Sequence, residues 1–153
     1  MKPYHFVTNW FFRAPIERVW EEIVDTPSWP SWWPCWKKAV SHGSAPQAGL
    51  GAVVDHEVRG NLPYSLRFRT VVTGFRPPHL LEVTSSGDLV GTGTFVLEAR
   101  DNGTAVTYYW DVGTSNPLLN LLGTLPFARA MMEKNHDVVM EEGCRGLKTR
   151  VER

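Results

Sequence analysis

What the chain lacks narrows the field before any motif is read. Only two cysteines, Cys35 and Cys144, stand among the 153 residues. Neither has a CxxC partner or a Cys/His spacing suited to a metal, so a disulfide framework and a zinc site both drop out and free thiols, buried or half-buried, are expected. No apolar run reaches the roughly eighteen residues of a membrane-spanning helix. No charged segment followed by an apolar stretch opens the chain. The expectation is a reduced, cytoplasmic protein without stable membrane insertion. Net charge is missing too: 16 Lys and Arg balance 16 Asp and Glu. No field draws such a chain to nucleic acid, and no nucleic-acid partner is expected. Internal repeats, linkers and low-complexity segments are absent. Residues 1–153 therefore read as one domain, long enough to bury a core.

Familiar catalytic spacings are absent as well. The chain has no GxSxG, HExxH, GxxxxGK[ST] or EF-hand pattern. Its five histidines (His5, His42, His56, His79 and His136) have no i, i+4 partner. No metal and no cofactor are expected. Gly87, Gly91 and Gly93 lie inside a strand pattern, where glycine marks a bend or bulge and not a phosphate cradle.

What is present is strongly periodic. From Pro126 to Arg153 the residues Ala128, Met132, Val139, Gly143 and Gly146 fall on one helical face, with Glu133, Lys134, Asp137, Glu141, Arg145, Lys148 and Glu152 opposite. The spacing predicts a long amphipathic helix. Glycine costs about 1 kcal/mol relative to alanine inside a helix, so Gly143 and Gly146 imply close approach of another backbone, expected to be a sheet. Asn135 lies near the centre of the apolar stripe with His136 at its flank. A buried amide needs a partner, either a strand carbonyl or something held in a cavity.

Residues 3–12 alternate as a first strand with Tyr4, Phe6, Thr8 and Trp10 on one face. Ile16, Val19, Trp20 and Ile23 give a short helix its buried stripe, with Glu17, Arg18, Glu21 and Glu22 outside. Six further strands are predicted over 37–42, 51–59, 64–75, 79–85, 89–100 and 104–114. Turn residues separate them, among them 43–49 and Asn102-Gly103. Val54, His56 and Val58, then Leu66, Phe68, Thr70 and Val72, then Phe95 and Leu97, and finally Val106, Tyr108, Trp110 and Val112 form the inward set. Asp55, Glu57, Arg59, Arg67, Arg69 and Asp111 face outward, where opposite charges pair across strands. The stretch 116–126 reads as a helical turn or loop before the last helix. Segregated strands and helices make the class α+β, a seven-stranded antiparallel sheet against one long helix.

Residues 27–36 hold Trp29, Trp32, Trp33 and Trp36 with three prolines, which allow helical pieces of one turn at most. Three roles fit: a stiff aromatic corner of the core, the wall or lid of an apolar pocket, or a membrane-dipping loop.

The segments APIERVWEEI, WPSWW, RPPHLLEV, GDLVGTGTFVLE, NGTAVTYYWDV and NHDVVMEEGCRGL together resemble the START-like (SRPBCC) superfamily, in its bacterial branch labelled polyketide cyclase/dehydrase. The resemblance spans essentially the whole chain. It implies a helix-grip fold, in which the sheet wraps the C-terminal helix and leaves an internal apolar cavity. Relatives bind lipids, sterols, polyketides or other hydrophobic molecules, and some are aromatases or cyclases.

Three readings follow. The first is a protein that carries or sequesters a small hydrophobic or aromatic molecule. Trp10, Trp29, Trp32, Trp33, Phe68, Tyr108, Trp110, Met131 and Met132 would hold it, and His56 and Asn135 would orient its polar end. The second is a metal-free cyclase or dehydratase with His56 or Tyr108 as acid or base. The third is a filled core serving as an interaction module. Nothing in the pattern specifies an oligomeric state.

Overall fold

The computed structural model describes residues 3–43, 48–114, 121 and 125–152. Alternating residues give β1 (Tyr4–Phe12), and Pro15, in extended backbone, leads into α1 (Ile16–Val24). A 3-10 helix covers Thr26–Ser31, with Pro27 at its start and Pro30 inside. It is a turn longer than the prolines suggested, helped by Pro27 standing in the first turn, where a missing N–H costs no bond. Six strands follow: β2 (Trp36–Ser41), β3 (Val53–Val58), β4 (Leu66–Arg76), β5 (Leu80–Gly87), β6 (Leu89–Arg100) and β7 (Gly103–Thr114). The chain closes on α2 (Ala128–Val151). The expected turn at 43–49 and the stretch 116–126 fall largely on residues outside the described ones.

All seven strands form one antiparallel sheet in the order β1-β7-β6-β5-β4-β3-β2. β2 to β7 run as a meander, and β1 completes it along β7. This is the α+β helix-grip architecture: a curled sheet with the C-terminal helix on its inner side. The β6–β7 turn places Asp101 (φ 52) and Asn102 (φ 61) in left-handed backbone, the conformation a two-residue type I′ hairpin requires. The turn therefore sits one residue before the Asn102-Gly103 signal, and Gly103 pairs with Arg100 as the first residue of β7. A side chain on Gly103 would collide with the Phe11 ring and the Phe12 carbonyl.

The inward set is buried along all its strands apart from the half-buried Val72. On the outer face Arg69 meets Asp55 at 2.7 Å and Arg67 meets Glu57 at 2.9 Å. Glu22 departs from expectation. It is 9% exposed, because Arg18 (2.7 Å) and Arg150 (3.0 Å) converge on its carboxylate where α1 meets the end of α2. Cys35 is buried and Cys144 half-buried, both as free thiols. Burial and a hydrogen bond to Glu142 push the Cys35 thiol up to about 12.

α2 buries Asn135, Val139, Met140, Gly143, Leu147 and Val151, and the seven charged residues assigned to its other face are exposed. Its glycines do not meet the sheet. A Cβ on Gly143 would collide with the Trp33 indole, and one on Gly146 with the Trp32 carbonyl oxygen. The tryptophan segment is wedged between sheet and helix, so its backbone is the one that approaches closely. Without a side chain at Gly143, the Trp33 indole reaches the helix backbone and Nε1 donates to the Val139 carbonyl at 2.8 Å.

Candidate functional site

The four tryptophans of the wedge are buried, Trp33 at 1% exposure, so they are not presented to a bilayer. Trp33 touches Trp10, Trp29, Trp32 and Trp36, with ring centroids 4.5 to 5.8 Å apart. Trp10, Trp32 and Trp33 thus belong to a solid aromatic core under the C-terminal half of α2. Trp29 and Trp36 reach further, to the edge of open space.

That space is divided. A first chamber of about 30 Å³ lies between Trp29, His56, Thr70, Leu81, Phe95 and neighbouring apolar side chains. A second, of about 50 Å³, lies under the N-terminal half of α2 against Tyr4, Phe6, Met132, Asn135, His136 and Val139. Trp36, Phe68, Tyr108 and Trp110 line both chambers and form the partition between them. Each chamber exceeds the roughly 10–15 Å³ that a water molecule needs. Each falls far short of the roughly 300–1,000 Å³ of a pocket that encloses a drug-sized ligand.

Register brings the polar members together. His56 lies opposite Phe68 and Val54 opposite Thr70 in the β3–β4 ladder. The His56 ring stacks on Phe68 at 4.9 Å. Its Nδ1 accepts a hydrogen bond from Trp36 Nε1 at 2.9 Å, and its Nε2 lies 2.8 Å from Thr70 Oγ1. Burial lowers its pKa to about 4, so the ring is neutral near pH 7. With both nitrogens engaged, His56 is not poised as a base. Tyr108 stacks on Phe95 at 4.1 Å. Burial raises its pKa, and its hydroxyl has no hydrogen-bond partner among the described residues. His56 and Tyr108 line the same chamber without bonding each other.

Asn135 bonds a loop in place of a strand carbonyl, and it lines the second chamber. Its Oδ1 accepts the backbone N–H groups of Asn61 (2.6 Å) and Leu62 (3.3 Å), tying the β3–β4 loop to the helix. No acceptor for the amide nitrogen is found among the described residues, and the residue lines the second chamber. His136, which the helical pattern put merely at the flank, stacks on Phe6 at 3.8 Å, and its buried Nε2 has no partner among the described residues. Burial lowers its pKa to about 4. Met132 lines the second chamber, whereas Met131 is 46% exposed on the outer side of the same turn.

Sequence reading missed Thr70 and His136 as site members and Trp36 as the anchor of His56. A signal existed for Thr70, the one hydroxyl in the inward series Leu66, Phe68, Thr70, Val72.

The family model described as polyketide cyclase / dehydrase and lipid transport matches residues 5–152. The chain belongs to that family. No curated protein matches it. Among solved structures, the Zhui aromatase/cyclase from Streptomyces sp. R1128 is similar in fold, with a TM-score of 0.76 at 18% identity over 99% of this chain and 94% of that one. A START superfamily protein from Mycobacterium smegmatis gives 0.75 at 18% identity, covering 97% of each chain. The di-domain ARO/CYC BexL from the BE-7585A biosynthetic pathway gives 0.76 at 16% identity, and the chain spans 50% of its length. At these identities the likeness is one of fold. Among the described residues no helix is long and apolar enough to cross a membrane.

Proposed function

We propose that the protein, acting as one ligand-binding domain, holds a small hydrophobic or aromatic molecule between sheet and α2, as a carrier or sequestering protein. The observation that carries this reading is a pair of chambers lined by aromatic and polar side chains, the second bordered by His136, whose buried Nε2 has no partner among the described residues. A core built only to be filled pairs its buried polar groups. Here polar side chains, Asn135 and His136 among them, line space that admits water, and a ligand with a polar end replaces that water. The aromatic lining supplies the apolar contact area.

Size limits the occupant. A cavity of about 150 Å³ takes up benzene, which the two chambers do not reach even when joined, so a one-ring molecule requires the partition of Trp36, Phe68, Tyr108 and Trp110 to move outward as well as aside. Such space favours an occupant no larger than a single ring. Enzymatic action of the cyclase kind draws support from the fold shared with aromatase/cyclases. With His56 fully engaged, it would rest on Tyr108 alone.

The test is a titration of isotope-labelled protein with benzene and indole, followed by amide and indole NMR signals. Saturable shifts centred on Tyr108, Trp110, Asn135 and His136 are expected. Shifts confined to surface positions, or none, would overturn the binding reading. Conversion of an added polyketide-like substrate that is lost in Tyr108→Phe would establish the enzyme instead.

A further inference from the structure

Each chamber is lined by one histidine, and the two rings differ in what they have left to offer. His56, in the first, has both nitrogens engaged, one by Trp36 and the other by Thr70. His136, in the second, has a buried Nε2 with no partner among the described residues. Buried polar atoms are nearly always paired, so this one marks where a ligand's polar group would be met. The ring is held in place. It lies 8° from parallel to Phe6, with centroids 3.8 Å apart, and turning Nε2 toward solvent would break that stack. His136 is carried by α2, whose C-terminal half is fixed by its bond from Trp33 and its close fit to Trp32. The partition of Trp36, Phe68, Tyr108 and Trp110 is carried by β2, β4 and β7 instead. It can move to admit a ligand while the imidazole stays.

The rest of the lining narrows the chemistry of the occupant. No charged side chain borders the second chamber among the described residues, so an ionic ligand would enter without a counter-charge. Burial keeps the imidazole itself neutral near pH 7. A neutral imidazole nitrogen donates or accepts according to its tautomer, and a hydroxyl can answer either way. Resting on the binding reading above, we infer that His136 Nε2 is the polar anchor of the second chamber and that the ligand it selects is a small neutral phenol. The aromatic and aliphatic lining takes the ring, and the nitrogen takes the hydroxyl.

Phenol and toluene, alike in shape but for a hydroxyl in place of a methyl, test this on the parent and on His136→Phe. Phenylalanine keeps a ring to stack on Phe6 and removes the nitrogens, so the variant should fold. From parent to variant, phenol affinity should fall about 3- to 10-fold, the worth of one net hydrogen bond, while toluene affinity changes less than about 2-fold. A second measurement needs no variant. In the parent, the nitrogen-15 signal of His136 Nε2 should move much further with saturating phenol than with toluene. A variant that weakens both molecules alike, or an Nε2 signal that answers both alike, overturns the inference and leaves the binding reading standing. If neither molecule binds, both fall.

Discussion

From Gly143 to Val151, α2 lies hard against Trp32 and Trp33, so close that neither glycine tolerates a Cβ without a neighbour shifting. From Met132 to Met140 the same helix covers a chamber, and its buried polar groups are only partly paired. One half holds the helix in place, and the other leaves room. The difference shows how one element can be packed solid at one end and cover open space at the other. Dense packing of rings over backbone anchors the end of α2, and the anchored helix can then span a region that is not filled.

Filling the tight half should do the most damage. Gly143→Leu places a branched side chain on the Trp33 indole and breaks its bond to Val139. A loss of about 3 kcal/mol or more is expected. In thermal unfolding that appears as a fall in Tm of roughly 6–12 °C, since about 2–4 °C accompanies each kcal/mol in a protein of this size. An unchanged or higher Tm would mean that Gly143 is not against Trp33.

The next effect is one of pH, and it belongs to the region around the chambers. Burial holds His56 and His136 to pKa values of about 4 in the folded protein, against about 6.5 when unfolded. The unfolded chain thus binds more protons between these values. Stability from this source is complete above about pH 6.5 and is lost as pH falls toward 4. Chemical denaturation at pH 7, 5.5 and 4.5 should show a declining midpoint, and His136→Gln should flatten the decline. A parent protein equally stable at pH 7 and 4.5 would contradict the burial of both rings.

Asn135→Ala removes the acceptor of two loop amides, and a cost of about 1–3 kcal/mol follows. Asn135→Asp keeps the oxygen and should recover part of it. Protection of the Asn61 and Leu62 amides from hydrogen exchange is the direct readout. Smallest of all, Tyr108→Phe discards a hydroxyl for which no hydrogen-bond partner occurs among the described residues. Its stability should stay within about 0.5 kcal/mol of the parent, and a large loss would reveal a partner for that hydroxyl.

Much of the scaffold was legible in residue order. Alternation placed Val54, His56, Phe68, Tyr108 and Trp110 inward, and the 3.6-residue period separated Asn135 and Val139 from Glu133 and Asp137. Asp55 with Arg69 and Glu57 with Arg67 were readable as cross-strand pairs because sheet neighbours are set by consecutive hairpins. The chambers were less legible. Met131 and Met132 differ by a single 100° step, yet only Met132 faces the space. Trp29 and Trp33 share one short motif, yet only Trp29 borders a chamber.

The sequence by itself determined which residues lie inside, how many strands pair, and that a glycine-bearing helix must meet something close. Tertiary structure alone decided what each inward residue meets. Trp33 with Gly143, Asn135 with Asn61, Glu22 with Arg150 and Trp36 with His56 join positions that no local period relates. Periodicity follows from backbone geometry, which every residue carries along the chain. Pairing across a core follows from the volume and hydrogen-bonding capacity of side chains brought together only when the sheet curls. That same curling leaves one chamber under the N-terminal half of α2 and another between Trp29 and the sheet.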